Sequence, residues 1–224
     1  PRVVADSSMT SGQVATWDCV WLGSYPQTYV EDEATVAALD AATDWDEGGD
    51  LIYDGRAYHR SKREDATYSQ DNSANYWDWN KASSAGYCYF LWEPIKWRVI
   101  ETDGSTALVV SDKTLDDKKY NDINTMVDWE RSTIRSWLAN VFWPKAFTFA
   151  QQDSVVAQVL PYVHNNLSYE GNETDDLVFL LTNSDASNTS YGFTDGTTRQ
   201  CKSSENPLLQ KVGFRPAPSN IGAL

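Results

Sequence analysis

The chain has 224 residues and a formal net charge of −14, and 13% of its residues are aromatic, including ten Trp. This length suits one large α+β domain and is short for two. The charge argues against a nucleic-acid ligand, because affinity for phosphate backbones comes mostly from Lys and Arg. No apolar run approaches the roughly 20 residues that a bilayer-spanning helix needs. We therefore predict neither nucleic-acid binding nor membrane insertion by this segment.

The N-terminal part of the chain predicts a strand, a helix and a hairpin. Residues 20–22 read as a short strand that ends in a turn near Pro26. The Ala-rich stretch 34–43 has helical spacing and lies in an acidic segment. Apolar residues across 51–59 flank Asp54-Gly55, a pair that supplies the positive φ angles of a type I′ turn. These signals predict a compact β-hairpin after the helix.

The middle of the chain predicts a long loop and a second hairpin. Residues 61–86 are rich in Ser, Asn and Asp, with little apolar periodicity, which is typical of a surface loop. Residues 87–111 carry the strongest strand signal. Alternation places Trp97 and Val99 on one face, and we expect Leu108 and Val110 to meet them across the pair.

Two helices are predicted in the following segment. Residues 128–142 contain an amphipathic stripe, which Pro144 should close. Thr148 and Gln151 form a capping-box pattern, so a second helix should begin there and end before Pro161. The stripe consists of Ile134, Trp137, Leu138, Val141 and Phe142.

Residues 177–182 read as a buried strand, and the remaining tail as loop. The element order predicts an α+β fold, and the absence of a linker or repeat predicts a single domain over residues 1–224. Within it, the acidic and polar segment 31–86 reads as an insertion and 203–224 as an atypical tail. The predicted core consists of Trp97, Val99, Leu108, Val110, Ile134, Trp137, Leu138 and Phe179.

No common catalytic motif is present. His59 and His164 are far apart in the sequence, so a histidine-based triad or metal site is not expected. Cys19, Cys88 and Cys201 are odd in number and widely spaced, which fits neither a disulfide framework nor a zinc site. The sequence leaves two states of the cysteines open. Either two of them form a disulfide and one is a free thiol, or all three are free thiols.

Two clusters are candidate binding sites, one for a calcium ion and one for a larger ligand. Hard cations take several carboxylate oxygens, and the weak calcium candidates are Asp44, Asp46, Glu47 and Asp50. An EF-hand would need Asp or Asn at Gly48 and Glu at Gly55, so the match is incomplete. Aromatic rings beside hydrogen-bonding groups are typical of recognition surfaces. One segment has this composition and is a candidate ligand site, with core packing as the alternative. It consists of Tyr76, Trp77, Asp78, Trp79 and Asn80.

Several blocks together resemble one family. They are GSYPQ from Gly23, EPIKWRVIETDG from Glu93, ALVVSDKTLD from Ala107, a Trp-rich block from Thr125, DLVFLLT from Asp176 and YGFTDGTTRQCK from Tyr191. In this order, from about residue 20 to 202, they resemble the bacterial domain-of-unknown-function family 6273. The resemblance implies a C-type lectin-like fold and a secreted or cell-surface protein, and it brings no catalytic residue.

The chain departs from that family in two places. Its segment 31–86 is long and acidic, and the family's closing WWLRSPG-type segment is absent. VGFRPA from Val212 resembles the family's closing motif.

Three functions remain open from the sequence. The first is a non-catalytic binding module for a carbohydrate or protein, with no cofactor except possible calcium. The second is a variable ligand-binding protein of a diversity-generating retroelement. The third is an oxidase of the formylglycine-generating-enzyme-like fold group, for which the cysteines supply no local copper-binding pair.

Overall fold

A computed structural model describes residues 1–8, 12–62, 83–116, 118–162 and 171–204. The fold is α+β, with small antiparallel sheets and short helices, as the element order predicts. The described residues pack as two compact units, one formed by 1–116 with 183–204 and the other by 118–162 with 171–182. The single-domain assignment of the whole chain stays a prediction.

The first unit is built on a five-stranded sheet. Its order is β3, β6, β5, β4, and β7 pairs with the second half of β6. The first half of β6 therefore lies between β3 and β5, and its second half between β3 and β7. The strands are β3 (Cys19–Tyr29), β4 (Asp50–Tyr53), β5 (Arg56–Lys62), β6 (Tyr87–Thr102) and β7 (Ala107–Ser111). A hairpin of β1 (Arg2–Ala5) and β2 (Gln13–Thr16), which no sequence pattern predicts, precedes them.

β3 is longer than predicted, and the expected turn at Gly23 and Pro26 is wrong. The strand runs through both residues, with register shifts between Trp21 and Ser24 and between Pro26 and Thr28. Gly23 has a φ of +73°, which a residue with a Cβ rarely adopts. The turn residues thus produce bulges inside a continuing strand.

The predicted pairing of β6 with β7 is wrong by one residue. Val109 lies opposite Val99, Ser111 opposite Trp97, and Val110 opposite Arg98. A register shift between Val99 and Glu101 adds the residue that alternation alone cannot reveal. The hairpin itself is confirmed.

The helix and the first hairpin agree with the sequence. α1 spans Glu33–Ala41, and the Asp32 side chain accepts from the Thr35 amide at its N-terminus. Asp54 and Gly55 both have positive φ angles, +48° and +72°, as a type I′ turn requires. Leu39 of α1 is fully buried against Tyr58 and Tyr89 of the sheet. This cluster attaches the helix to β5 and β6.

The C-terminal part of the first unit returns to the sheet. β8 (Lys113–Thr114) follows β7 directly and pairs in parallel with β11 (Lys202–Ser203). Two short 3₁₀ turns, Asp185–Ser187 and Thr189–Tyr191, precede β11. The Trp17 Nε1 donates to the Tyr191 carbonyl at 2.8 Å, which connects this return segment to the N-terminal hairpin region.

The second unit contains a helix with a π-helical turn. α2 (Thr133–Trp137) begins at the N-cap Ser132, continues through the π-helical turn Leu138–Phe142 and passes into α3 (Trp143–Ala146). Pro144 does not close the helix as predicted, because it lies in the first turn of α3, where proline is tolerated. The π-helical turn also rotates the stripe, so Val141 is exposed while Phe142 is buried.

The second predicted helix is confirmed at its start only. Thr148 and Gln151 form the capping box, but α4 spans just Phe149–Gln152. β9 (Gln158–Leu160) follows and pairs with β10 (Thr174–Asp176). The predicted strand 177–182 is wrong, since the strand ends before it and these residues form bends and irregular chain.

A polar centre holds the second unit together. Asp176 is buried, and its carboxylate accepts from Trp129 Nε1 at 2.8 Å, Thr174 Oγ1 at 2.6 Å and Arg135 Nε at 2.8 Å. Asn172 binds the Glu130 carboxylate through its backbone and side-chain amides. Arg135 therefore connects α2 to β10, and Glu130 binds the segment just before β10.

The predicted core is partly confirmed. Trp97, Ile134 and Leu138 are buried, whereas Val99, Leu108, Val110, Trp137 and Phe179 are only half-buried. The predicted core list omits several of the most deeply buried side chains, many of which lie on β6 and its surroundings. These are Leu39, Tyr89, Phe90, Ile95, Ile100, Leu115 and Phe142.

None of the helices in the described ranges combines the length and the apolar character needed to cross a bilayer.

Candidate functional site

The pairing of β3 with β6 gathers polar and aromatic side chains on one face of the sheet. Trp21 lies opposite Lys96, and Cys19 opposite Arg98. Residues opposite each other in an antiparallel pair project to the same side. The backbone amide of Asp112 donates to the Lys96 carbonyl at 2.9 Å, which places the segment after β7 beside this face.

A cavity of about 280 Å³ opens at this position, and we call it the Trp21 groove. Trp21, Pro94 and Leu115 supply its apolar lining. Its polar lining consists of Gln27, Glu93, Lys96, Asp112 and Lys113. Cavities that hold small ligands typically start at about 300 Å³. The Trp21 groove lies just below that volume, so any ligand that it encloses must be small.

The Trp21 ring is unusually accessible. Its side chain is 63% exposed, whereas Trp97 on the opposite face of the same sheet is 7% exposed. The Trp97 Nε1 donates to the Leu22 carbonyl at 2.8 Å, so this second Trp belongs to the core. A large exposed ring at the edge of a concave polar surface is typical of recognition sites. Because most of its side chain is exposed, Trp21 is not needed for the packing of the core.

The charged wall of the groove is preorganised. The Asp112 carboxylate accepts from Arg98 Nε at 2.6 Å, and Lys96 Nζ lies 3.5 Å from its other oxygen. Partial burial raises the pKa of Asp112, but the hydrogen bond and charge of Arg98, with Lys96, outweigh it and lower the pKa. Arg98 also stacks on Trp17, with its Cζ 5.0 Å from the ring centroid. The side chain of Asp112 is thus held as a carboxylate in one position.

The other wall is fixed by Gln27, which is almost fully buried. Its Nε2 donates to the carbonyls of Glu93 at 3.0 Å and Pro94 at 3.2 Å. The Thr28 hydroxyl donates to the Glu93 carboxylate at 2.6 Å. All three bonds cross from β3 to β6 and fix the side chains of this wall.

A buried tyrosine supports this wall from within. The Tyr25 hydroxyl donates to the Asp116 carboxylate, and both side chains are buried. Burial, with the negative charges of Asp116 and Asp50, raises the pKa of Tyr25 well above its ordinary value. Tyr25 therefore stays protonated and acts as a hydrogen-bond donor to Asp116.

The blocks that carry the family resemblance in this half of the chain meet at the groove. GSYPQ contributes Gln27, and EPIKW contributes Glu93, Pro94 and Lys96. Sequence patterns did not identify the groove as a site because the two blocks are about 70 residues apart. The signal that could have found it is the lone Trp21 on a strand beside these blocks.

The ligand site predicted from the sequence lies outside the described residues. This holds for Tyr76, Trp77, Asp78, Trp79 and Asn80, and also for His164. The groove is therefore a second candidate site, which the sequence did not predict.

Two of the weak calcium candidates, Asp46 and Asp50, are engaged by other groups of the protein. The Asp50 carboxylate accepts from Trp92 Nε1 at 2.9 Å and lies 2.7 Å from His59 Nδ1. The Asp46 carboxylate accepts from the Asp50 amide at 2.8 Å. Across the described ranges, no group of three or more His, Cys, Asp or Glu side chains is placed to hold a metal ion. The structure thus does not bring Asp44, Asp46, Glu47 and Asp50 together around a common centre.

Cys19, Cys88 and Cys201 form no disulfide bond. Cys88 is buried on β6, Cys19 lies within 3.5 Å of the Trp17 carbonyl, and Cys201 lies 3.2 Å from the Thr114 hydroxyl. The sequence left two states of the cysteines open, and the structure shows the one without a disulfide.

Residues 104–211 match the family described as Domain of unknown function (DUF6273). Over these residues, which make up just under half of the chain, it is similar to the DUF6273 family. No curated protein and no solved structure matches the chain significantly.

The DUF6273 match contains α2, the polar centre at Asp176 and, in the first unit, Asp112, Lys113 and Leu115 of the groove. The remaining groove residues lie before the matched range. The Trp21 groove thus combines a part from the DUF6273 match with a part contributed by β3 and β6.

Proposed function

We propose that the protein is a non-catalytic binding module and that the Trp21 groove is its ligand site. The observation that supports this proposal is an exposed Trp ring beside fixed charged and polar side chains in one small cavity. An aromatic face takes the apolar side of a ligand, and the polar groups fix its orientation. Among carbohydrate and protein ligands, this composition and size favour a small carbohydrate.

The state of Asp112 supports binding over hydrolysis. A glycosidase needs one carboxyl group that is protonated near neutral pH, which requires a raised pKa. Arg98 and Lys96 lower the pKa of Asp112, so this group is a poor proton donor. It is suited to accept hydrogen bonds from hydroxyl groups of a ligand.

We further propose a C-type lectin-like fold and a secreted or cell-surface location. The family resemblance and the small antiparallel sheets support the fold, and the resemblance alone supports the location. An experimentally determined structure and fractionation of the source cells test these two points separately.

The binding proposal is tested on an array of glycans and peptidoglycan fragments. The wild type, Trp21→Ala and Tyr53→Ala are compared, since Tyr53 is an exposed aromatic residue of β4 outside the groove. We expect binding of a subset of saccharides that Trp21→Ala abolishes and Tyr53→Ala retains.

Runs with calcium and with a chelator accompany the array, and we expect the same binding in both. Absence of binding by the wild type, or binding that Trp21→Ala leaves unchanged, contradicts the groove as the ligand site. Calcium-dependent binding in turn restores Asp44, Asp46, Glu47 and Asp50 as candidates.

A further inference from the structure

At the edge of the groove, one lining lysine is paired across two strands with a second lysine. Lys113 lines the groove from β8, and its partner in the parallel pair with β11 is Lys202. Paired residues on neighbouring strands project to the same face. Two ammonium groups in this arrangement repel each other unless an anion lies between them.

The neighbouring carboxylates are already engaged elsewhere. Asp112 is bound by Arg98 and Lys96, and Glu93 accepts from Thr28. Within the part of the chain that the structure describes, no carboxylate lies at ion-pair distance from Lys113 or Lys202. The two ammonium groups therefore have no counter-charge from the described residues.

The location of this positive charge is informative because the whole chain is strongly acidic, with a net charge of −14. In and beside the groove, the four cations Arg98, Lys96, Lys113 and Lys202 exceed the three carboxylates Asp112, Glu93 and Asp116 by one charge. A local excess of one charge sign in a cleft concentrates ligands of the opposite sign. The groove is thus suited to an anion, although the surface as a whole repels extended polyanions.

We propose that the Trp21 groove binds a small acidic saccharide, with its carboxylate at Lys113 and Lys202 and its ring against Trp21. This inference rests on the proposed function and specifies its ligand class. In this arrangement Trp21 packs against the sugar ring and the two lysines bind the carboxylate. Asp112 and Glu93 accept hydrogen bonds from the hydroxyl groups of the saccharide. The cavity of about 280 Å³ limits the bound portion to one or two sugar residues.

The test is a calorimetric titration with matched acidic and neutral saccharides. The pairs are glucuronic acid with glucose, galacturonic acid with galactose, and N-acetylmuramic acid with N-acetylglucosamine. We expect at least one acidic member to bind at least about fivefold more tightly than its neutral partner, with an affinity that falls as salt increases.

Three variants locate the charge. Lys113→Gln and Lys202→Gln should each weaken binding of the acidic saccharide about three- to tenfold, and should weaken binding of the neutral partner less. Arg56→Gln is the matched control, because Arg56 is an exposed cation at the β4–β5 hairpin outside the groove. This control should bind like the wild type.

The outcomes separate this inference from the proposed function. One outcome is that neutral and acidic saccharides bind equally and that binding depends on Trp21 but not on Lys113. This result would contradict the acidic ligand class and still support the binding function. No binding by any member of the panel overturns the acidic-saccharide inference. If the acidic saccharide still binds to the Trp21→Ala variant, the placement of its sugar ring against Trp21 is wrong.

Discussion

Trp21 and Lys96 lie directly opposite each other on β3 and β6, and both line the same groove. Two strands that are distant in the sequence thus supply the aromatic and the cationic part of one surface. The pair can form only when β3 and β6 are in register. The groove is therefore a property of the completed sheet and not of either strand.

Trp21→Ala and Trp97→Ala should differ strongly in stability. Trp21 is mostly exposed, so its truncation should change the free energy of unfolding by less than about 1 kcal/mol. Trp97 is buried and donates to Leu22, so its truncation should cost about 3–5 kcal/mol. Urea unfolding followed by circular dichroism measures both. Equal losses would place Trp21 in the core and weaken the case for a ligand site.

Gly171→Ala should destabilise the second unit. A Cβ at this position would clash with the Asp128 carboxylate and approach the Tyr162 ring to 2.6 Å. We expect a loss of about 1–3 kcal/mol in the free energy of unfolding. Gly48→Ala is the control, because its Cβ would meet mainly the movable side-chain ends of Asp46 and Asp50 at 3.3 Å or more. A thermal shift no larger than that of the control would count against the tight packing at Gly171.

Asp176→Ala should be among the most damaging polar substitutions. It removes the acceptor for Trp129, Thr174 and Arg135 from a buried position. A loss of about 3 kcal/mol in the free energy of unfolding is expected, since a partly buried guanidinium loses its counter-charge. The exposed pair of Asp122 with Lys118 provides the comparison, and Asp122→Ala should cost less than about 1 kcal/mol. Similar effects of the two substitutions would contradict a structural role for Asp176.

The contribution of Asp112 to stability should depend on pH. Its pKa is lowered from the ordinary value of 3.8 in the folded state, because Arg98 and Lys96 stabilise the carboxylate. The folded state thus binds the proton more weakly than the unfolded state, so this stability is fully present above pH 3.8. It is lost as the pH falls from that value through the lowered pKa. Asp112→Asn should be destabilising at pH 6 and much less so near pH 2, as urea unfolding at both values can show.

Local signals in the sequence predicted local structure well. Asp54-Gly55 predicted its turn, and Thr148 with Gln151 predicted its capping box, since a few neighbouring residues determine both conformations. The α+β class followed from the order of such elements. The DUF6273 assignment over residues 104–211 likewise agrees with the resemblance carried by the sequence blocks.

Features that depend on partners distant in the sequence were not predicted. The bulge between Val99 and Glu101 shifts the β7 register, and no alternation pattern contains that extra residue. Pro144 stands within a helix because the preceding π-helical turn and its first-turn position accommodate it. The Trp21 groove needs the cross-strand register of β3 and β6, which residue types alone do not specify.

The central position of β6 has a consequence for how the first unit folds. Its partners on β3 include the pair Cys19 and Arg98, roughly 80 residues apart in the chain, while the β4–β5 and β6–β7 hairpins close over short turns. Hairpins form in microseconds, but pairing across a long separation first has to overcome the entropy of closing the intervening chain. We therefore expect the two hairpins to form early and the docking of β3 to limit the folding rate, so that the Trp21 groove is completed last.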